Sequence, residues 1–212
     1  MYSKIRDTKK LAGKRIANLY GDNKSRPQII FCGNTIEYEK YCNSTESAGC
    51  SMGTPWGSKF VVINGSSLSA DVISHEWSHI ELLERVGWWK VWNDIPQWFN
   101  EGLAMMVDHR FAEDTDDYCG KYIQYRIEWI LLRKKGQPNI PFSKLTTVKD
   151  FVGHDVERNY FVYISSGLEV ANWLVHNNGS QALNELLIRL KKGSPFSKEY
   201  IHHPNADSNC IN

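Results

Sequence analysis

The feature that most constrains this chain is the five-residue run His75-Glu76-Trp77-Ser78-His79, which has the pattern H-E-x-x-H. Residues four apart lie on the same face of a helix, so His75 and His79 can direct two imidazoles at one metal ion. Glu76 lies beside them, within reach of a water molecule on that metal. The run therefore predicts a two-histidine zinc site with a general base.

The residues around this run predict the helix that such a site requires. Ser67 or Ser69 can serve as the N-cap, Asp71 places a negative charge in the first turn, and Gly87 is typical of the position just beyond a helix C-terminus. Upstream, the apolar run at 59–63 has the character of a β-strand. We therefore expect a strand followed by the helix that carries both histidines.

A candidate for the third ligand lies further along the chain. Pro96 suits the first turn of a helix that continues through an apolar segment to residue 106. Glu101 is an acid within this apolar helix, and acids are rarely buried without a partner. A metal ion would be that partner. The adjacent Gly102 would let another backbone or a substrate approach closely.

Together, H-E-W-S-H and the later P-Q-W-F-N-E-G-L-A resemble the motifs of the gluzincin metallopeptidases. The similarity is greatest to compact peptidase MA-like domains and to the catalytic domain of the M1 aminopeptidases, whose second motif reads W-x-x-E-G-x-A. The resemblance implies that His75, His79 and Glu101 bind Zn²⁺. It also implies that Glu76 activates the zinc-bound water that hydrolyses a peptide bond.

The resemblance also implies a fold. We expect an α+β, zincin-like domain spanning 1–212, with a small mixed sheet over the H-E-x-x-H helix and a helical C-terminal half. The sheet-bearing half covers about 1–94 and the helical half about 95–212.

The resemblance also indicates which segments lie beside the cleft. In the family, the strand at 59–63 would be the sheet edge that faces the cleft. The gap between His79 and Glu101 is longer than in the M1 enzymes and contains an aromatic-rich insertion at 87–94. This insertion either walls the cleft or is an ordinary packed connection.

A hydrogen-bond donor for the developing oxyanion is also expected, because water attack on a carbonyl builds negative charge on oxygen. The segment 159–170 resembles the tyrosine-bearing helix of the gluzincins. Tyr163 matches that helix better than Tyr160, and His154 is a weaker alternative donor. Either tyrosine could instead be a core aromatic residue with a satisfied hydroxyl.

Other zinc schemes fit the sequence less well. The longer metzincin pattern H-E-x-x-H-x-x-G-x-x-H is excluded, because Leu82 and Arg85 occupy its later positions. Asp94 is the rival third ligand of an aspzincin-like site, but it lacks the helical context of Glu101. The cysteines contain no C-x-x-C pair that would suggest a cysteine-ligated metal.

Net charge, the length of apolar runs and the cysteine count limit which partners and which cellular compartment fit this chain. The net charge of +1 argues against a nucleic acid or an anionic membrane held by bulk electrostatics. We find no apolar run long enough to span a bilayer and no signal-peptide core at the N-terminus. The odd count of five cysteines fits a cytoplasmic protein with free thiols slightly better. Cys32, Cys42 and Cys50 are nevertheless close enough for a disulfide in an exported protein, so localisation stays open.

The remaining elements follow from periodicity and from Gly and Pro positions. We expect a basic, amphipathic helix at 3–20, a strand at 27–31, a helix or turn at 35–43, a Gly/Ser loop at 48–56, a helix at 114–135 with an acidic start, short helical pieces at 142–152, helices near 157–177 and 180–191 ended by Gly179 and Gly193, and an irregular last twenty or so residues.

The sequence-based function is zinc-dependent hydrolysis of peptide or protein substrates. Endopeptidase action is favoured over aminopeptidase action, because Gly53–Gly57 does not match the G-x-M-E-N segment that anchors a substrate N-terminus in the M1 family. The alternative is a catalytically restricted binding or regulatory protein on a zincin scaffold. The intact Glu76 argues against that alternative, since a structural site has no use for a base. The sequence leaves the oligomeric state open.

Overall fold

The chain combines a three-stranded sheet with a larger set of helices. The computed structural model describes residues 2–43, 48–112, 117–151 and 155–210. In chain order the elements are α1 (Tyr2–Tyr20), β1 (Gln28–Cys32), α2 (Thr35–Cys42), β2 (Gly49–Gly53), β3 (Lys59–Asn64), α3 (Ala70–Val86), α4 (Trp88–Asn93), α5 (Gln97–Val107), α6 (Tyr118–Lys134), α7 (Val148–Phe151), α8 (Val156–His176), α9 (Gly179–Lys191), α10 (Phe196–Glu199) and α11 (Asp207–Cys210). Short 3-10 helices occupy Gly65–Ser67 and Phe142–Lys144.

The sheet is mixed, with the strand order β1-β3-β2. Strand β1 runs parallel to β3, and β2 runs antiparallel to it. The expectation that the strand at 59–63 forms the sheet edge is therefore wrong, because β3 is central. The segment 48–56, expected to be a loop, contains β2, which pairs with β3 and takes the edge position.

Strand β2 has the sequence Gly-Cys-Ser-Met-Gly, which has low β-propensity. Its position depends on close packing against α3. A Cβ atom added to Gly49 would lie 2.8 Å from Val72 Cγ1 and 3.0 Å from Glu76 Cγ. The absence of a side chain at Gly49 lets this strand lie directly on the helix that carries the H-E-x-x-H run.

Helix α3 begins and ends as the sequence predicts. The Ser69 hydroxyl caps it by accepting a hydrogen bond from the Val72 amide at 3.2 Å, and Gly87 follows it with φ 94°. Helix α1 also matches its predicted range and packs on α3. Its buried face consists of Ala12, Ile16, Leu19 and Tyr20.

Helix α5 packs closely against α8, and α6 packs on another part of α8. The close approach occurs at Gly102, where an added Cβ would lie 2.5 Å from Val170 Cγ2 and 2.6 Å from the Ser166 carbonyl oxygen. Of the two roles expected for Gly102, the structure shows the approach of another backbone.

Three predicted segments differ in detail. Helix α6 begins only at Tyr118, and the Asp117 carboxylate caps it by accepting from the Cys119 and Gly120 amides; residues 113–116 lie outside the described ranges. Gly179 does not end α8 but begins α9, with φ 61°. The C-terminal segment is irregular only in part: it also contains the four-residue helices α10 and α11. Its apolar side chains are buried against the helical core, and Cys119 and Cys210 form a disulfide.

The α+β class with a small mixed sheet is confirmed by these elements. Buried side chains of α1, β3, α3, α5, α6, α8 and α9 belong to one hydrophobic cluster. Within the described ranges, none of the helices combines the length and the apolar character needed to cross a bilayer.

Candidate metal centre

His75, His79 and Glu101 meet where α3 crosses α5. One ligand atom from each of these side chains lies within 4.8 Å of the other two. Glu101 Oε2 is 3.2 Å from His75 Nε2 and 3.7 Å from His79 Nε2. The structure thus brings together the three residues that the sequence proposed as ligands.

Each of these side chains is held by a second polar residue. Asp108, which follows α5, accepts a hydrogen bond from His75 Nδ1 at 3.1 Å. Asn100 Oδ1 accepts from His79 Nδ1 at 2.8 Å, and Gln97 Nε2 donates to Glu101 Oε1 at 2.6 Å. Because both Nδ1 atoms are engaged, both Nε2 atoms are left to face Glu101. Such outer contacts fix the tautomer and orientation of ligating histidines.

The geometry of this cluster fits a zinc ion. Two ligand atoms about 2.05 Å from zinc at the tetrahedral angle are roughly 3.3 Å apart, close to the two distances from Glu101 Oε2. That oxygen is buried, and in the described part of the chain it faces the Nε2 atoms of His75 and His79. A buried carboxylate is costly unless a cation, such as a protonated imidazole or a metal ion, faces it. Two imidazoles and one carboxylate are also a donor set typical of catalytic zinc.

The acidic groups around the cluster favour a positive charge at its centre. Burial alone would lower the pKa of His75, but its hydrogen bond to Asp108 and the proximity of Glu101 raise that pKa to about 10. Burial would raise the pKa of Glu101, but the charges of His79 and His75 hold it below its usual range. The metal-free site therefore keeps a proton on His75, and a metal ion would replace it.

Asp108 is fully buried, and its charge is compensated on two sides. Burial would raise its pKa, but hydrogen bonds from Arg110 and His75 hold the pKa of this carboxyl well below its usual range. Arg110 Nε lies 2.9 Å from Asp108 Oδ1. Asp108 is thus a fixed negative charge behind His75.

Glu76 and Tyr163 lie beside the cluster. Glu76 is half-buried, and its side chain packs next to Gly49 of the edge strand. The Tyr163 ring centroid is 6.3 Å from that of His75, and Phe151 contacts the tyrosine ring edge-to-face at 4.9 Å. The negative charge of Glu101, burial and Glu76 raise the pKa of Tyr163 well above its usual range, so its hydroxyl stays protonated.

Tyr160, an alternative donor, and Asp94, the alternative ligand, are not among the residues that form the cluster. Burial and the nearby negative charge of Glu128 raise the pKa of Tyr160, and His154 lies outside the described residues. Asp94 Oδ2 is 2.8 Å from both the Phe196 amide and Lys90 Nζ. Asp94 is not part of the cluster that Glu101 forms with the two histidines.

The aromatic insertion forms the short helix α4 directly after α3. Trp88 Nε1 donates a hydrogen bond of 3.2 Å to the Gly53 carbonyl at the end of β2. Trp89 and Trp92 are largely exposed, and both rings contact that of Trp88. The insertion therefore reaches the edge strand.

Sequence reasoning identified none of the residues that orient the ligands. Asn100 and Gln97 lie within the second motif, one and four residues before Glu101, so helical spacing could have marked them. Asp108 lies beyond the end of α5, and no local pattern connects it with His75.

Comparisons with known proteins give this chain no relative. It matches no protein-family model, no curated protein and no solved structure with which it was compared.

Proposed function

We propose that this chain is a zinc-dependent metallopeptidase of the gluzincin type, with His75, His79 and Glu101 as its zinc ligands. The observation that carries the proposal is the convergence of these three ligand atoms within 4.8 Å. The hydrogen bonds that orient each ligand, and the buried Glu101 oxygen that faces both Nε2 atoms, add support. A site with three protein ligands and an open position is typical of catalytic rather than structural zinc.

Glu76 is the proposed general base. When bound, zinc supplies a Lewis acid that polarises the substrate carbonyl and lowers the pKa of a water molecule. The Glu76 carboxylate accepts the proton of the attacking water and delivers it to the leaving amine. Its place one residue after His75 puts it next to the proposed ligands, and its Cγ packs beside Gly49 of the edge strand.

Tyr163 is the proposed donor to the oxyanion. Its hydroxyl remains protonated at neutral pH because its pKa is raised, and Phe111 stacks on its ring at 6.4 Å. A protonated phenol held in place can donate a hydrogen bond to the carbonyl oxygen as negative charge develops there.

The free edge of β2 supports a peptide as substrate. The Asn64 amide donates to the Ala48 carbonyl, and hydrogen-bonded pairs alternate in an antiparallel ladder. Gly49, Ser51 and Gly53 therefore direct their backbone groups away from β3. The Gly53 carbonyl is taken by Trp88, whereas none of the described residues pairs with Gly49 or Ser51 on that side. An extended polypeptide can add to this edge, with Gly49 beside Glu76.

The compartment proposed for this activity is an oxidising one. Cys42 pairs with Cys50 and Cys119 with Cys210, which leaves Cys32 as a buried free thiol. Two disulfides and one free thiol account for all five cysteines, so the odd count does not require that every cysteine is reduced. Disulfides persist in exported proteins and are rare in the cytosol.

Zinc content and peptide hydrolysis test this proposal together. We expect about one zinc per chain after dialysis, with sharply weaker binding in Glu101→Ala. Wild-type protein should cleave members of a fluorogenic peptide library, and Glu76→Gln should retain zinc without turnover. Glu84→Gln is the matched control on the same helix and should keep full activity.

Absence of zinc from the wild-type protein would refute the metal centre. Stoichiometric zinc without cleavage of any peptide would refute the peptidase and favour the binding or regulatory protein. Hydrolysis retained in Glu76→Gln would remove that residue as the base.

A further inference from the structure

A groove of about 510 Å³ runs along the exposed face of α1, on the side of α3 that carries Trp77. Its α1 lining comes from positions 6, 9, 10, 13, 14 and 17, which share one helical face. Gly13 and Ala17 provide its small residues, and Trp77 and Asn23 close its other side. The polar lining from α1 is Arg6, Lys9, Lys10 and Lys14, and the groove has no acidic side chain from the described part of the chain.

The charge of this chain is divided unevenly along the sequence. Residues 1–28 contain eight Lys or Arg and two Asp, a net charge of +6, whereas residues 29–212 sum to −5. The overall charge of +1 therefore hides a strongly basic segment. A local excess of one sign attracts ligands of the opposite sign even when the whole protein is nearly neutral.

The basic side chains of this segment differ in what already binds them. Arg15, which lies outside the groove, forms an ion pair of 2.6 Å with Asp71. Lys9 is anchored in the groove, because its Nζ donates to the Pro27 carbonyl at 2.9 Å and lies 5.8 Å from the Trp77 ring centroid. Arg15 therefore has a structural partner in the fold, and Lys9 forms part of the groove floor.

Three cationic side chains of the groove, those of Arg6, Lys10 and Lys14, are exposed and accessible to a ligand. Lys10 and Lys14 form no ion pair with an acidic group of the described residues, and both are exposed. Arg6 contacts Asp7 at 3.5 Å, but both side chains are largely exposed, and such pairs contribute little. Neighbouring cations with little acidic compensation raise the free energy of the isolated protein, and an anionic ligand would lower it.

We infer that this groove binds a linear sulfated polysaccharide. The cations from Arg6 to Lys14 span eight residues, or about 12 Å of helix axis, which suits several anionic groups in a row. Lys and Arg form charge-assisted hydrogen bonds to sulfate oxygens. The two disulfides favour an oxidising compartment, and sulfated polysaccharides are polyanions of the extracellular space. The metal centre plays no part in this inference.

Heparin binding to the full chain tests the inference. Wild-type protein is compared with the triple variant Arg6→Gln, Lys10→Gln, Lys14→Gln by anisotropy of fluorescein-labelled heparin at physiological salt. The matched control is Lys134→Gln, Lys135→Gln, Lys192→Gln, which removes the same charge from exposed positions elsewhere. Each lost cation should weaken binding roughly fivefold, so the groove variant should bind about 100-fold more weakly while the control stays near wild type.

Thermal unfolding of both variants verifies that they fold like the wild type. Failure of the wild-type protein to bind heparin, or an equal loss in the control, would overturn the inference. Tighter binding to inorganic polyphosphate, to duplex DNA or to phosphatidylserine vesicles than to heparin would also overturn it, because the groove would then prefer another polyanion.

Discussion

Replacing Asp108 with Asn should weaken zinc binding without removing a ligand. Asp108 can affect the proposed metal only through His75, because its carboxylate contacts the Nδ1 atom of that histidine at 3.1 Å. Asn is nearly the same size but is uncharged. The variant therefore takes away the fixed negative charge behind His75 and leaves Arg110 without its partner.

The expected size follows from the position of Asp108. Loss of a residue that orients a metal ligand typically costs 10- to 100-fold in metal affinity, which is about 1.4 to 2.7 kcal/mol. Asp108 is fully buried and charged, so the effect should lie near the upper end of that range.

Competition of the protein with a chromogenic zinc chelator measures this change. Asp94→Asn is the matched control, since the Asp94 carboxylate binds Lys90 and the Phe196 amide away from the histidines. Unchanged zinc affinity in Asp108→Asn would refute the role given to Asp108. Weaker zinc binding in Asp94→Asn would instead favour the rival ligand.

Three further predictions address the donor, the helix packing and the proton on His75. Tyr163→Phe should lower kcat by roughly 10²- to 10³-fold while zinc content stays unchanged; an unaltered kcat would mean that another group stabilises the oxyanion. Gly102→Ala should lower the free energy of unfolding by about 1 to 3 kcal/mol in urea denaturation, because the added methyl would lie 2.6 Å from the Ser166 carbonyl; equal stability would show that α8 can move away. The pKa of about 10 for His75 in the metal-free protein means that zinc must displace one proton at neutral pH. Zinc affinity should then rise roughly tenfold per pH unit from about pH 7 toward pH 10 in calorimetric titrations, and a flat profile would contradict that pKa.

The cluster of His75, His79 and Glu101 could be predicted from sequence in part because helix geometry determines the relative positions of the two histidines. The i, i+4 spacing places His75 and His79 on one face wherever the helix forms. Glu101 was recognised as an acid within an apolar helix, which is a local anomaly. The ends of α3 could also be predicted from local sequence, since Ser69 and Gly87 are typical capping residues.

Other features depend on contacts between distant parts of the chain. Strand β2 looks like a loop because Gly49 has no intrinsic strand preference, and its place becomes clear only when Val72 and Glu76 of α3 pack against it. The disulfide between Cys119 and Cys210 joins residues 91 apart, and cysteine spacing alone does not give that pairing. Asp108 reaches His75 across 33 positions for the same reason.

The open edge of β2 also bears on self-association. A strand edge with unpaired backbone groups can template pairing between copies of a protein, and natural sheets limit this hazard by keeping such edges short or covered. Here the strand has five residues, and its outward groups at Gly49 and Ser51 have no partner among the described residues. The indole of Trp88 occupies the next outward carbonyl, that of Gly53. Two chains meeting edge to edge could form only a very short ladder. The protein can therefore offer a docking edge to a peptide while giving little support to continuous sheet growth or fibril formation.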